Sequence, residues 1–271
     1  MRGAYSGREP GGIEMKTEMN LARGGASTSK KLLAAIAVLA VAFAVFAAIP
    51  AVDAEDGATT GPVKIEDVSY PDLVRAFASV KEGETITLTE SIEGSGIGIF
   101  VNEGAFKIAT KFDENGKATE WKPVANKVTL DFAGNTYTLV APAVGSNGYE
   151  TQGFHIEKGY ELTLKNGTID ISKKTSAVKM LFQNYAQLTL EKITLDGTNL
   201  ADAYYYNEKK EIVPGANYTF NNNNSTIVMT DCKVIARSGA VNGDSHRAMG
   251  VYGNPSSSYN GVSVELHGQN D

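Results

Sequence analysis

A four-residue phrase recurs from Val128 onward, with two apolar residues flanking a smaller one and a surface-type residue usually closing it. It appears as Val128-Thr129-Leu130-Asp131, Leu162-Thr163-Leu164-Lys165, Leu188-Thr189-Leu190-Glu191, Ile227-Val228-Met229-Thr230 and Val262-Ser263-Val264-Glu265. Counted at the third residue, the spacings are 34, 26, 39 and 35. Alternation with period two predicts short strands. A second strand precedes the phrase in three units, at Gly153–Gly159, Val178–Asn184 and Ala248–Asn254, and a third follows it at Gly167–Ile171 and Lys192–Gly197. Only one segment has helical spacing. Leu73, Ala76, Phe77 and Val80 share a face behind Ser69-Tyr70-Pro71-Asp72, which reads as a capping box with proline in the first turn. A helix is predicted over 70–80, stopped by Gly83, with a strand at Thr85–Thr89.

Three short strands per unit, with Gly or Asn at many corners, predict an all-β chain wound as a right-handed parallel β-helix with a short N-terminal capping helix. A single coil cannot bury its apolar face, whereas stacked coils share a core and satisfy each other's backbone groups. Corner positions that need a left-handed φ favour Asn and Gly. An antiparallel sandwich would also show short strands between turns. The same kind of turn after each phrase, and a lone amphipathic helix where a solenoid needs a cap, favour the solenoid.

The run Asn126-Lys127-Val128-Thr129-Leu130-Asp131-Phe132-Ala133-Gly134-Asn135-Thr136-Tyr137-Thr138-Leu139 resembles the opening coil of right-handed β-helix proteins of the pectate-lyase-like superfamily. Leu162-Thr163-Leu164-Lys165-Asn166-Gly167-Thr168-Ile169 is similar to its sequel, and Gly83-Glu84-Thr85-Ile86-Thr87-Leu88 after a helix resembles its N-terminal end. The resemblance covers roughly 70–268 and implies the fold. It is silent on activity, because that superfamily holds polysaccharide lyases and hydrolases beside adhesin-like surface proteins.

The N-terminus changes the picture. Residues 32–49 are an uncharged apolar run behind Lys30-Lys31, followed by Pro50 and Ala51-Val52-Asp53-Ala54. This predicts a secretory signal peptide cleaved between Ala54 and Glu55, with a retained membrane anchor as the alternative. Residues 1–14 fit neither role; they are either a disordered extension or translated leader upstream of a start at Met15 or Met19. The organisation is therefore 1–54 extension and signal, 55–69 linker and 70–271 β-helix. The 217 residues from Glu55 onward carry 19 Lys+Arg against 27 Asp+Glu, a net charge of −8, with only three arginines. Such a surface suits neither nucleic acid nor anionic lipid, so membrane contact is expected only through an uncleaved signal. The single cysteine, Cys232, rules out an internal disulfide and reads as a buried, inert thiol.

No catalytic residue, metal-ligand set or cofactor motif emerges. A lyase or hydrolase on this fold needs converging carboxylates. The residues closing the phrase, Asp131, Lys165, Glu191, Thr230 and Glu265, form a mixed column, and Asp170 and Asp196 each lack a second acid beside them in the chain. His155, His246 and His267 are scattered. Two insertions, Phe106–Asn126 with Trp121 and Thr198–Asn224 with Tyr204, Tyr205 and Tyr206, offer aromatics for ligand binding. Each is read as directly preceding a core phrase, so both are expected at equivalent corners, about 14 Å apart along the axis. The expectation is a non-catalytic secreted or cell-surface, adhesin-like protein whose loops meet glycan or a host or cell-envelope surface. A polysaccharide lyase or glycoside hydrolase is the alternative. The last phrase has no cap behind it, which predicts truncation at the C-terminus and self-association through the final coil.

Overall fold

The computed structural model describes residues 60–112, 118–143, 151–174, 178–203, 205–207, 209–239, 243–253 and 262–271. The signal segment with Ala54–Glu55, the turn Asp113–Gly116 and Tyr204 lie outside the described residues, as do the side chains of Tyr205 and Tyr206. No helix among the described residues is long and apolar enough to cross a membrane.

The chain opens with β1 (Val63–Ile65) and β2 (Val68–Tyr70), then α1 (Leu73–Phe77), β3 (Thr85–Leu88), β4 (Ile92–Ser95) and β5 (Ile97–Asn102). A hairpin follows, β6 (Ala105–Phe112) and β7 (Ala118–Pro123). Next come β8 (Lys127–Asp131), β9 (Thr136–Ala141), β10 (Gln152–Ile156), β11 (Glu161–Ile171), β12 (Met180–Asn184) and β13 (Gln187–Asp196). A small hairpin, β14 (Tyr205–Tyr206) and β15 (Ile212–Val213), precedes β16 (Ala216–Asn223), β17 (Thr226–Thr230), β18 (Lys233–Ile235), β19 (Ser245–Tyr252) and β20 (Ser263–His267).

These strands make two large, mostly parallel sheets. The first runs β2-β1-β3-β8-β11-β13-β17-β20, and the second β19-β16-β12-β10-β5-β6-β7. From β10 to β13 the chain alternates between the sheets, and β16, β17, β19 and β20 continue the alternation with β18 pairing beside β13, each strand parallel to its counterpart one unit away. The recurring phrase supplies the first sheet. Val128, Leu162, Leu188 and Ile227 are in register, as are Leu130, Leu164, Leu190 and Met229, and all eight are buried. The long strands β11 and β13 continue past the phrase into a third parallel stack, in which Tyr137, Ile169, Leu195 and Val234 are in register.

A left-handed residue marks the bend after the phrase. Asn166 (φ 58), Lys192 (φ 55), Asp231 (φ 53) and Gly268 (φ 68) follow register partners on four successive strands. Asn and Gly are at ease there; Lys192 adopts this conformation at a cost of about 1 kcal/mol. Among side chains, Asn184 donates to Asn222 Oδ1 (2.7 Å) and Ser225 Oγ donates to the same oxygen (2.7 Å), so buried amides replace apolar packing between these strands.

Several expectations are corrected. The helix starts later and is shorter: Asp72 is its N-cap, its Oδ1 accepting from Arg75 N at 2.8 Å, and Pro71 precedes the cap. An Asp beside the first helical residue reaches the free amides that Ser69 cannot. Leu73, Ala76, Phe77 and Val80 are nonetheless all buried as one face. The stretch 55–69 read as linker holds, from Val63, a hairpin whose β1 pairs antiparallel with β3. The last phrase is displaced by two residues: Ile227 pairs with Val264 and Met229 with Leu266, so His267 rather than Glu265 closes it. A shift of two leaves every side chain on its own face, so alternation alone does not distinguish the registers. Finally, Ala216–Asn223 is a sheet strand, not part of an excursion.

Candidate ligand-binding face

The second sheet carries an unusual outer surface. On β5, Ile99 is buried and Phe100 is half-buried on the opposite face, sharing that face through the hairpin pairings with Lys107, Ala109 and Trp121. On β10, His155 pairs with Gly98, and its ring stacks on Phe100 at 4.7 Å and 16°. Trp121 meets Phe100 edge-on at 5.4 Å, and Tyr185 lies 5.5 Å from His155. Four rings thus form a row: Trp121, Phe100, His155, Tyr185.

His155 is fully buried at the centre of this row. Its Nδ1 lies 2.6 Å from Gln152 Oε1 and its Nε2 3.5 Å from Glu157 Oε2. The hydrogen bond from His155 holds the Glu157 carboxyl below the usual range, against the opposing effect of burial. The ladder continues in register from His155 to Gln183, Asn221 and Gly250. Asn221 Nδ2 donates to Gln183 Oε1 at 2.9 Å, and among the described residues Gln183 Nε2 and Asn221 Oδ1 are buried without a partner. A Cβ on Gly250 would stand 2.8 Å from the Tyr218 ring and 2.9 Å from Asn221 Oδ1, so a larger residue here must displace one of these side chains.

At the far end Arg247 lies over the Tyr218 ring, 5.4 Å from its centroid, and donates to Tyr218 Oη at 2.8 Å. The Tyr218 and Tyr252 hydroxyls are hydrogen-bonded to each other, which raises the Tyr252 pKa. Arg75 and Arg237 pair with Asp72 and Asp202; among the described residues Arg247 is the one arginine without an acidic partner.

Of the residues expected from the sequence, Trp121 belongs to this face. Tyr205 and Tyr206 pair with Val213 and Ile212 in a separate hairpin. The two hairpins leave at different corners: β6–β7 departs after β5 of the second sheet and returns into β8, while β14–β15 departs after β13 and returns into β16. The second insertion does not precede a core phrase directly, and the shared recognition surface expected from equivalent corners falls. Phe100, Tyr185, Gln183 and Asn221 were missed. The signal available was a polar residue after each core phenylalanine, in Phe154-His155, Phe182-Gln183 and Phe220-Asn221.

Elsewhere, Cys232 is buried, its thiol donating to Leu190 O and Thr230 O at 3.3 Å, and burial raises its pKa. Asp170 and Asp196 immediately follow the register pair Ile169–Leu195, which sets them on neighbouring strands and on one face. Among the described residues Asp170 Oδ1 is buried without a partner, and Asp196 Oδ1 accepts from Thr198 N at 2.9 Å. Among the described residues no three His, Cys, Asp or Glu side chains gather as a metal site. No family model, no curated protein and no solved structure matches the chain.

Proposed function

We propose that this chain is an exported, surface-displayed protein that winds as a right-handed parallel β-helix of the pectate-lyase-like kind and binds glycan without turning it over. The observation that carries the reading is the ring row Trp121–Phe100–His155–Tyr185 on the outer face of the second sheet, with half-exposed aromatics backed by a buried polar ladder. Aromatic faces stack on the apolar faces of sugar rings, and a rigid parallel sheet holds them in place before the ligand arrives. The strand step of about 4.8 Å is close to the length of one sugar unit, so a glycan chain laid across the strands meets a side chain at each step. The apolar run at 32–49 with its small-residue exit supports export.

The test is binding and turnover on an array of plant and host glycans, with Trp121→Ala and Tyr185→Ala alongside the parent. Binding without release of product is expected, weakened at least about tenfold by either substitution. Absence of binding, or binding indifferent to both substitutions, would refute the assignment of this face.

One observation favours a second reading. Asp170 and Asp196 stand on adjacent strands, where carboxyl groups about 5 Å apart suit a retaining glycoside hydrolase. Turnover that disappears in Asp170→Asn while binding persists would establish hydrolysis in place of simple binding.

A further inference from the structure

We infer that one outward column of the second sheet reads alternate units of a neutral, extended β-1,4-linked glycan; this rests on the glycan-binding reading above and names its ligand class. Ile99, Ile156, Asn184, Asn222 and Val251 are register partners on five adjacent strands. The first four are fully buried on the inner side. The residues that follow them, Phe100, Glu157, Tyr185, Asn223 and Tyr252, therefore stand side by side on the outer face. Ladder bonds hold this register, with Glu157 N donating to Ile99 O at 3.1 Å and Tyr185 N to Ile156 O at 2.9 Å. Asn223 and Tyr252 are themselves partners.

Along this column aromatic and hydrogen-bonding side chains alternate: ring, carboxylate, ring, amide, ring. The first four are half-buried, and Tyr252 is 43% exposed. The next outward column, Gly98, His155, Gln183, Asn221 and Gly250, is buried, so the alternating column is the one offered to a ligand. Its period is two strand steps, about 9.6 Å. The His155 ring, 4.7 Å from Phe100 and 5.5 Å from Tyr185, spans that interval.

In a glycan joined through equatorial 1,4-linkages each unit is turned over relative to the one before. Units one, three and five then offer the same side, and units two and four the other. With one unit per strand step, the three rings meet equivalent apolar surfaces while Glu157 and Asn223 meet hydroxyl groups. Axially linked chains coil and lose this straight two-unit repeat. The outward column of the first sheet, Thr129, Thr163 and Thr189, repeats at every strand and has no such period. Charge narrows the class to neutral sugars. The hydrogen bond from His155 holds the Glu157 carboxyl below the usual range, so it stays ionised and repels a uronate.

The experiment titrates the full chain with cello-, manno- and chito-oligosaccharides of two to six units, and with malto- and galacturono-oligosaccharides for comparison. In at least one β-linked series affinity should rise by about tenfold at the trimer, which first reaches two rings, and again at the pentamer, which first reaches three. From trimer to tetramer the change should stay below about threefold. Tyr185→Ala should erase the rise at the trimer and leave one at the pentamer, which still joins Phe100 to Tyr252. Tyr252→Ala, at an exposed side chain, should erase only the rise at the pentamer, with unchanged circular dichroism. Affinity that grows evenly with each added unit overturns the inference, as does equal or tighter binding of the malto- or galacturono-series; either result leaves glycan binding itself standing. Steps unmoved by both substitutions overturn the column as the site. Failure of every glycan to bind overturns the inference together with the reading it rests on.

Discussion

The two large sheets are built on the same backbone plan and differ in what they turn outward. In the first, Thr129, Thr163, Thr189 and Val228 lie between the core positions as a half-buried column of small side chains. In the second, the corresponding outward column is His155, Gln183 and Asn221, every member buried, with His155 between the Phe100 and Tyr185 rings. Inward the sheets agree: Leu162, Leu164, Leu188 and Leu190 fill one side, and on the other Phe154 stacks on Phe182 at 5.2 Å while Phe220 packs tilted against Phe182 at 5.7 Å. The inner faces maintain the fold, and the second outer face is the one elaborated beyond that need. Buried amides with unused hydrogen-bonding capacity are costly and are not required by strand pairing.

The contrast can be broken most severely from the inside. Leu190→Asp places a charge at a fully buried position in the middle of the first sheet and is expected to cost several kcal/mol. Loss of far-UV circular dichroism at room temperature would show it; a native melting curve would contradict the placement. Gly250→Ala tests the second outer face. Its methyl group must displace the Tyr218 ring or the Asn221 amide, at a cost of about 1–3 kcal/mol. The tyrosine near-UV signal should change while the far-UV spectrum holds.

A smaller effect separates the sheets by pH. The folded Glu157 carboxyl titrates below its unfolded value, so its contribution is present above about pH 4.3 and is lost as pH falls through the folded pKa. Glu157→Gln should therefore flatten the fall in stability between roughly pH 5 and pH 3, as read by urea melts at each pH. The slightest change is a gain: Lys192→Gly relieves a left-handed residue at φ 55 and should add about 0.5–1 kcal/mol. An equal or lower melting temperature would mean that the corner tolerates lysine without strain.

The first sheet was legible in the sequence because its alternation is clean, with leucine inward and threonine outward. The second was harder to read for the reason that makes it interesting. Phe154-His155-Ile156 keeps a polar residue at its outward position, but nothing within the strand says that His155 is as buried as its neighbours. Strand β16 was hidden further: Asn221-Asn222-Asn223 reads as loop, yet Asn222 is an inward residue satisfied by Asn184 and Ser225. No periodicity in one strand reports a hydrogen bond made to the next. Trp121 was found by its rarity, while Phe100 and Tyr185 matter only through the register that brings them to His155.

The unequal unit lengths bear on how the chain reaches this structure. Leu164 and Leu190 are register partners only 26 residues apart, on the two longest strands of the fold, whereas Leu190 and Met229 are 39 apart. Each ladder needs only the neighbouring unit, so the sequence separation of native contacts is set by the length of one unit and not by the whole chain. The β11–β13 pair closes the shorter loop and gains the longest run of paired residues. It is therefore the expected nucleus, from which the flanking units would add outward in both directions, as a zipper closes from its middle.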